Sequence, residues 1–313
     1  MTWIDDFVER VFPVDATNLQ IEAGFVLKFT HIPERLFKYR DCNPNSIKNL
    51  QEDTIWLADP NSFNDPYDCH HFINHQGLMD RSLRTLSPEI RKMLPVDKVS
   101  GLEEILATAE DPTGVLIDAL LGEEEPIKRA ALKAGLLAGR NALFEKIAKA
   151  GDEIKAGFRL CSFSARVDST LMWSHYARNH QGFCVQYNIK ELPPSDLRSR
   201  FMFPVVYRDE VFDATECMIL VNTPKFNNIH LNRAALIKGK DWSYEEEWRL
   251  VFANGLLDKP QPWKMPIPTA VYLGSHILPA DEATLKEICS NKGISMFKMG
   301  HSRSHFALTP VAL

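Results

Sequence analysis

Lys240-Asp241-Trp242-Ser243-Tyr244-Glu245-Glu246-Glu247-Trp248-Arg249-Leu250-Val251-Phe252 sets three consecutive glutamates among two indoles and a phenol, ahead of a short apolar run. The run reads as a strand. In an extended chain alternate residues share a face. Glu245, Glu247 and Arg249 then line one side, and Glu246, Trp248 and Leu250 the other, more core-like side. Two acids so spaced repel and desolvate each other, which raises at least one pKa, while Arg249 on the same face opposes the shift. A solvated, charged face on an edge strand carries the same pattern, so the rest of the chain must decide.

The chain has 313 residues, enough for one large domain or two ordinary ones. Its formal net charge of −5 gives no basic footprint for tight, nonspecific nucleic-acid binding. The start, Met1-Thr2-Trp3-Ile4-Asp5-Asp6-Phe7, is acidic where a secretory signal is basic. No apolar run reaches membrane-spanning length. The six cysteines are scattered without a Cys-x-x-Cys pair, which fits reduced, buried thiols and a cytoplasmic protein rather than a disulfide scaffold.

Outward from the central stretch, the pattern is of short strands. Residues 1–12 have a helical period ended by Pro13 and suit a helix packed back on the body. Phe25–Phe29, Leu36–Arg40, Thr54–Ala58, Phe158–Ser164, Gly182–Asn188, Phe203–Tyr207, Ala270–Gly274, Gly293–Phe297 and Phe306–Thr309 read as strands. Residues 211–222, 229–238 and 281–291 read as helices. Ser62–Asp68 is a loop of turn-formers held by Asn64, Asp65 and Asp68, fit to wall a pocket. Asp168-Ser169-Thr170 caps a helix carrying Trp173 and His175, with Gly182 as its breaker and His175 expected to be buried. From about 80 to 156 the character changes. Ser87-Pro88-Glu89 and Asp111-Pro112 look like helix starts, and Ile127, Ala131, Leu132, Leu136, Leu143 and Ile147 keep a helical period. The expected organisation is an N-terminal helix or arm over 1–24, an α+β core over 25–79 and 157–313, and an all-helical insertion over 80–156 acting as a lid or side lobe.

Phosphate-cradling glycine loops and the nucleophile elbow of serine hydrolases are absent. His71 and His75 have the spacing of a metal pair on a helix, with Asp65 and Asp68 near, but no third ligand is signalled, so no metal is expected. His175 and His180, five apart, do not share a helical face.

Leu36-Phe-Lys-Tyr-Arg40, Asn61–Asp68, Cys161-Ser-Phe-Ser164, Met172–Ala177 with His180-x-Gly182-Phe183, Val205-x-Tyr207 and Trp242-x-Tyr-Glu-x-Glu-Trp-Arg249 together resemble the bacterial domain of unknown function 2971, in order from Leu36 onward. A more distant resemblance is to the ADP-ribosyltransferases, in which an arginine strand, a serine strand and a Glu-x-Glu strand build an NAD cleft between split sheets. That resemblance implies a mixed, mostly antiparallel α+β core of short strands. It implies NAD as the substrate cofactor, with Arg40, Tyr39, Lys38, Ser162, Ser164, His175 and Asn64 on the cofactor side. Glu247 is then the main catalytic residue, stabilising the oxocarbenium-like charge as nicotinamide leaves, and Glu245 the acceptor-side one. The acceptor is an unidentified protein or nucleic acid, and a toxin or phage-defence role would suit such an enzyme. A non-catalytic binding module for a ligand or partner is the main rival. A nucleotide or nucleic-acid hydrolase working through His175, His180 and the glutamates is the third reading, though it lacks a metal or nucleophile.

Overall fold

A computed structural model describes residues 2–84, 91–92, 96–121, 126–221, 223–253 and 256–313. The helix start expected at Ser87–Glu89 lies outside them. The strands, in chain order, are β1 (Leu36–Arg40), β2 (Thr54–Leu57), β3 (His71–Phe72), β4 (Arg159–Ser164), β5 (Phe183–Tyr187), β6 (Met202–Pro204), β7 (Val206–Arg208) and β8 (Phe212–Asp213). They continue as β9 (Ile237–Gly239), β10 (Glu247–Phe252), β11 (Gln261–Lys264), β12 (Ala270–Leu273), β13 (Ser295–His301) and β14 (Leu308–Ala312). The chain divides into two compact units, one of residues 1–70, 154–212 and 227–313, the other of 71–153 and 213–226.

The first unit is α+β. Eight strands form one sheet in the order β14-β13-β12-β5-β1-β4-β10-β6, antiparallel except for the β12–β13 pair. Short strands alternate side chains between two apolar layers, so the sheet is covered on both faces. Leu36, Phe163, Val185, Trp248, Leu250, Val271 and Leu273 pack on one face with Leu50 and with Leu285 of helix Pro279–Lys292. Phe37, Tyr39, Cys184 and Tyr272 pack on the other with Met172 and Trp173 of helix Thr170–Tyr176. β10 is therefore an interior strand, paired with β4 along all six residues and with β6 on its other side. The edge-strand reading of Glu247–Phe252 is thus excluded, and all six of its residues are buried.

One ladder is incomplete. β1 and β5 pair over five positions, whereas β1 and β4 share the single pair Phe37↔Ser164. Beyond it the Ser162 carbonyl accepts a hydrogen bond from Lys38 Nζ at 2.8 Å instead of from a strand neighbour. A buried carbonyl needs a donor, and the lysine supplies it.

Several local expectations are corrected. Phe25–Phe29 is not a strand but lies in helix Ile21–His31. Short apolar runs do not distinguish the two, and here packing decides. Gly24 lets this helix approach helix Trp3–Val11 so closely that a Cβ there would sit 2.4 Å from Val11. The helix also crosses residue 24, so both N-terminal helices belong to the first unit. Phe7, Val8 and Val11 are buried, with the Phe7 ring 6.1 Å from that of Phe203. Phe203–Tyr207 is broken at Val205 into β6 and β7, and β7 pairs parallel with β9. Residues 229–238 form a 3-10 helix over Asn228–Ala235 followed by β9, and the helix expected over 211–222 is confined to Thr215–Ile219. All six cysteines are free thiols.

The second unit is mainly helical among its described residues, with helices His75–Arg84, Val96–Thr108, Pro112–Leu121, most of Pro126–Ala156, and Thr215–Ile219. Leu102, Leu106, Leu116 and Ile117 are buried within it. No described helix is long and apolar enough to cross a membrane.

Candidate functional site

The central stretch does not run straight. Lys240–Glu245 forms a 3-10 turn, Glu246 adopts the left-handed region at φ 44°, and only from Glu247 is the chain extended. Strand alternation therefore does not relate Glu245 to Glu247. The kink at Glu246 turns the chain so that both acids reach one lysine. Lys238 Nζ lies 2.5 Å from Glu245 Oε2 and 3.1 Å from Glu247 Oε2. Glu246, expected on the core-facing side, is exposed, 3.6 Å from Arg166.

Arg249 is the centre of the network and has no solvent exposure. Its Nε and Nη2 donate to Glu247 at 2.7 and 3.1 Å. Its Nη1 and Nη2 donate to the two oxygens of Asp68 at 2.7 and 2.9 Å, and Nη1 also donates to the Ala235 carbonyl at 2.9 Å. The five N–H donors of a guanidinium are thereby committed, to two carboxylates in fork geometry and one backbone oxygen. Asp68 comes from the turn-rich loop and Lys238 from β9. The Tyr176 hydroxyl donates to Glu245 Oε1 at 2.7 Å. The backbone N–H of Glu247 donates to the Tyr207 hydroxyl at 2.8 Å. Ser164 Oγ donates to the Glu245 carbonyl at 2.6 Å and so fixes the turn.

Two cations thus face three acids in a buried space, and the excess falls on Glu245. Its pKa is raised, first by burial and then by the neighbouring Glu247, against the lowering effects of Lys238 and Tyr176. Burial would also raise Glu247. There it is outweighed by the charges of Arg249 and Lys238 and by hydrogen bonds from Arg249 and Ser162, and the net shift is downward. Lys238 is raised despite burial, because Glu247, Glu245 and Asp68 surround it.

These groups open on a cavity of about 170 Å³. Ser162, Ser164, Asn64, Lys38, Lys238, Tyr176, Glu245 and Glu247 give it polar groups, and Phe37, Phe63, Phe163 and Met172 give it apolar walls. It lies where β1 and β4 part. Tyr39 lines it with its ring, but its hydroxyl donates to the Arg166 carbonyl at 2.8 Å. Burial lowers the pKa of Lys38, whose ammonium is 6.0 Å from the centre of the Phe163 ring.

Of the residues singled out from sequence, Glu245, Glu247, Ser162, Ser164, Lys38, Tyr39 and Asn64 line this cavity. Arg40 does not. It lines a separate polar depression of about 420 Å³ with Asn43, Lys48, Asn49 and Trp56. His175 is exposed, not buried beside Trp173, because the last turn of its helix aims it at solvent near the Tyr244 ring, 6.3 Å away. Trp248 belongs to the core, whereas Trp242 stacks under Lys238 with its ring centre 4.9 Å from the ammonium. Lys238, Tyr176 and Tyr207 were not identified from sequence as parts of a site, and Asp68 was identified only as part of a loop fit to wall a pocket, which Phe63, Asn64 and Asp68 do. Asp68 had a signal, as an acid in a turn with buried-type aromatics, but Lys238 in a three-residue strand had none. Gly182 does not act as a helix breaker. Arg178, Asn179 and His180 leave the helix in the left-handed region, while a Cβ at Gly182 would lie 2.1 Å from the Arg40 carbonyl. Among the described residues, no group of three or more His, Cys, Asp and Glu side chains has its donors gathered for a metal ion.

A family model described as "Protein of unknown function (DUF2971)" matches residues 172–250. That segment holds Tyr176, Tyr207, Lys238, Glu245, Glu247 and Arg249, while Lys38, Asp68 and Ser162 lie outside it. No curated protein and no solved structure matches the chain.

Proposed function

We propose that the cavity is the active site of an NAD-dependent ADP-ribosyltransferase-like enzyme that modifies a macromolecular acceptor. The observation carrying this reading is the pair of carboxylates, Glu245 and Glu247, that open on one cavity with pKa values pushed in opposite directions. Such pairs divide acid–base and electrostatic roles. Cleavage of an N-glycosidic bond needs both. As the bond from the ribose C1′ to the nicotinamide nitrogen breaks, its electrons leave with the ring and positive charge grows on the sugar. Glu247, kept ionised, is the anion that offsets this charge. Glu245, whose proton is held to higher pH, takes the proton that the acceptor nucleophile sheds as it bonds to C1′.

The surroundings suit the ligand. Phe37, Phe63 and Met172 offer apolar walls to a pyridine ring, and Ser162, Asn64 and Lys38 offer polar contacts to a ribose. The volume is below the roughly 300–1,000 Å³ of pockets that enclose drug-sized ligands. The nicotinamide-ribose end is therefore the part enclosed, with the adenylate outside. The parting of β1 from β4 gives this end its opening, in the manner of a cleft between split sheets. Arg40 has no place in this cavity, and Lys38 and Lys238 are the cations near it.

The test is release of nicotinamide from NAD, together with transfer of label from NAD labelled in the adenylate to a whole-cell extract. The wild type is expected to release nicotinamide. In Glu245→Gln the amide oxygen still accepts from Lys238 and the amide NH2 donates to the Tyr176 hydroxyl, so the variant is expected to melt near the wild type while losing transfer at least a hundredfold. A folded wild type that neither binds NAD in calorimetry nor consumes it in the presence of extract would overturn the reading.

A further inference from the structure

The first unit holds a second cavity, of about 340 Å³ against about 170 Å³ for the first, and of opposite character. It lies between the two N-terminal helices, the chain around β6 and the 3-10 helix Asn228–Ala235. Phe12, Phe25, Phe201, Phe203, Ile229 and Val251 make its walls apolar. The rings support one another: the Phe203 centre lies 5.8 Å from that of Phe12, 6.3 Å from Phe25 and 6.5 Å from Phe201. Protein interiors keep few voids larger than a water molecule, and an apolar void costs stability in proportion to its volume. This one falls within the roughly 300–1,000 Å³ of pockets that enclose small ligands, which are mostly apolar with a few placed polar groups. Arg200 and Asn232 are the polar residues among the described lining.

Two cations stand against the apolar surface. The Arg200 guanidinium carbon lies 4.4 Å from the centre of the Phe25 ring. Lys28 Nζ lies 4.9 Å from the centre of the Phe25 ring and 4.8 Å from that of Phe203. Lys28 donates to two backbone carbonyls, those of Ser199 and Arg200, and meets no carboxylate among the described residues. Arg200 has one acid, Glu22, whose Oε1 accepts from Nη2 at 2.6 Å. The Arg200 and Glu22 side chains are 32% and 76% exposed, so this pair marks the mouth of the cavity. An exposed ion pair contributes little. The deficit of negative charge is felt at Lys28, where burial first and then the Arg200 charge bring the pKa down to about 7.

We propose that this cavity binds an amphiphilic monocarboxylate, with its apolar body among the phenylalanines and its carboxylate on Arg200 in place of Glu22. The carboxylate of Glu22 already shows that an acid reaches the guanidinium at the edge of the apolar walls. It is held there through one nitrogen. A guanidinium can receive a carboxylate through two parallel N–H bonds, so the incoming acid gains the fork that Glu22 does not make. It also brings what Glu22 lacks, an apolar body that leaves water as the head group binds. The added negative charge faces two cations that share one exposed acid. A neutral or cationic amphiphile fits the walls equally well but gains nothing at Arg200, so charge is what selects the ligand.

Calorimetry and thermal melting of the full chain with sodium decanoate, kept below its micelle-forming concentration, test this. One equivalent is expected to bind and to raise the melting temperature. Each buried methylene should tighten binding about fourfold, the equivalent of about 0.8 kcal/mol, so hexanoate should bind roughly thirtyfold or more weakly than decanoate. Decyltrimethylammonium, with the same tail and the opposite charge, should not bind. Glu22→Gln removes the competing acid at an exposed position and should tighten decanoate severalfold. Arg200→Met keeps an apolar stem and should weaken decanoate at least tenfold while leaving 1-decanol unchanged. Ile21→Trp, at a partly exposed lining position, fills the cavity and should abolish binding of both while melting near the wild type. Absence of decanoate binding by the wild type, equal binding of decyltrimethylammonium, or decanoate binding unchanged in folded Arg200→Met and Ile21→Trp would overturn the proposal.

Discussion

Removing the guanidinium at position 249 tests the account of the buried network most directly. In Arg249→Leu, six hydrogen bonds disappear and two buried carboxylates, Asp68 and Glu247, lose their fork partner. Breaking a buried ion pair from one side costs about 3–5 kcal/mol, because a charge is left uncompensated. With two acids affected, the upper end applies, a large part of the roughly 5–15 kcal/mol that holds a protein folded. At about 2–4 °C per kcal/mol for a domain of this size, the melting temperature should fall by roughly 10–20 °C. The loss should also depend on pH. In the wild type Glu247 has a lowered pKa, so its contribution is present above the unfolded carboxylate value and is lost as pH falls through the folded one. Without Arg249, burial dominates and the shift reverses. The variant then gains stability relative to the wild type as pH falls through the range where Glu247 takes up a proton. Denaturant melts at pH 7.5 and pH 4.5 would measure both gaps. A variant within about 1 kcal/mol of wild type at pH 7.5, or a gap equal at the two pH values, would refute the assignment of Arg249 as the network's keystone.

Two other outcomes follow from single backbone and side-chain features. Glu246 sits at φ 44°, so Glu246→Gly should be neutral or stabilising by up to about 1 kcal/mol, while Glu246→Val should cost about 1–3 kcal/mol in chemical denaturation. Lys28 is buried, donates to the Ser199 and Arg200 carbonyls, and has its pKa pushed down to about 7 by desolvation and by Arg200. Between about 7 and the ordinary lysine value the unfolded chain holds the proton and the folded one does not. Wild-type stability therefore rises with pH over that window, and parallel melts should show this slope disappearing in Lys28→Met.

The sheet was largely legible because its strands alternate in short, bounded runs, as in Leu36–Arg40 and Glu247–Phe252. The helix at Ile21–His31 was not, because four apolar residues and a lysine over Phe25–Phe29 carry no period, and what decides their conformation is the partner helix accommodated by Gly24. At the site, the chemistry of Glu245 and Glu247 was visible, but its geometry was not. Glu246 enters the left-handed region without being glycine, so nothing in its residue type announced the kink. Asp68 and Lys238 lie 181 and 11 residues from Arg249 in the chain, and only folding brings their charges together. Arg40 pointed away from the cavity for a related reason. The single rung between β1 and β4 lets the end of β1 diverge, so a residue two places beyond Lys38 falls outside the opening that Lys38 enters.

That single rung bears on motion as well as on shape. In a continuous ladder a strand cannot swing without breaking several backbone bonds at once. β1 is held over five positions to β5 but over one to β4, so the sheet carries a seam along which its two halves can flex at little enthalpic cost. Lys38 works as a clasp across the seam: a side chain, released by rotation about single bonds, stands where a rigid peptide link would otherwise be. Amides bordering the seam should therefore exchange with solvent ahead of those between β1 and β5, and a molecule entering the cavity would widen the sheet by unfastening one ammonium, not by melting a strand.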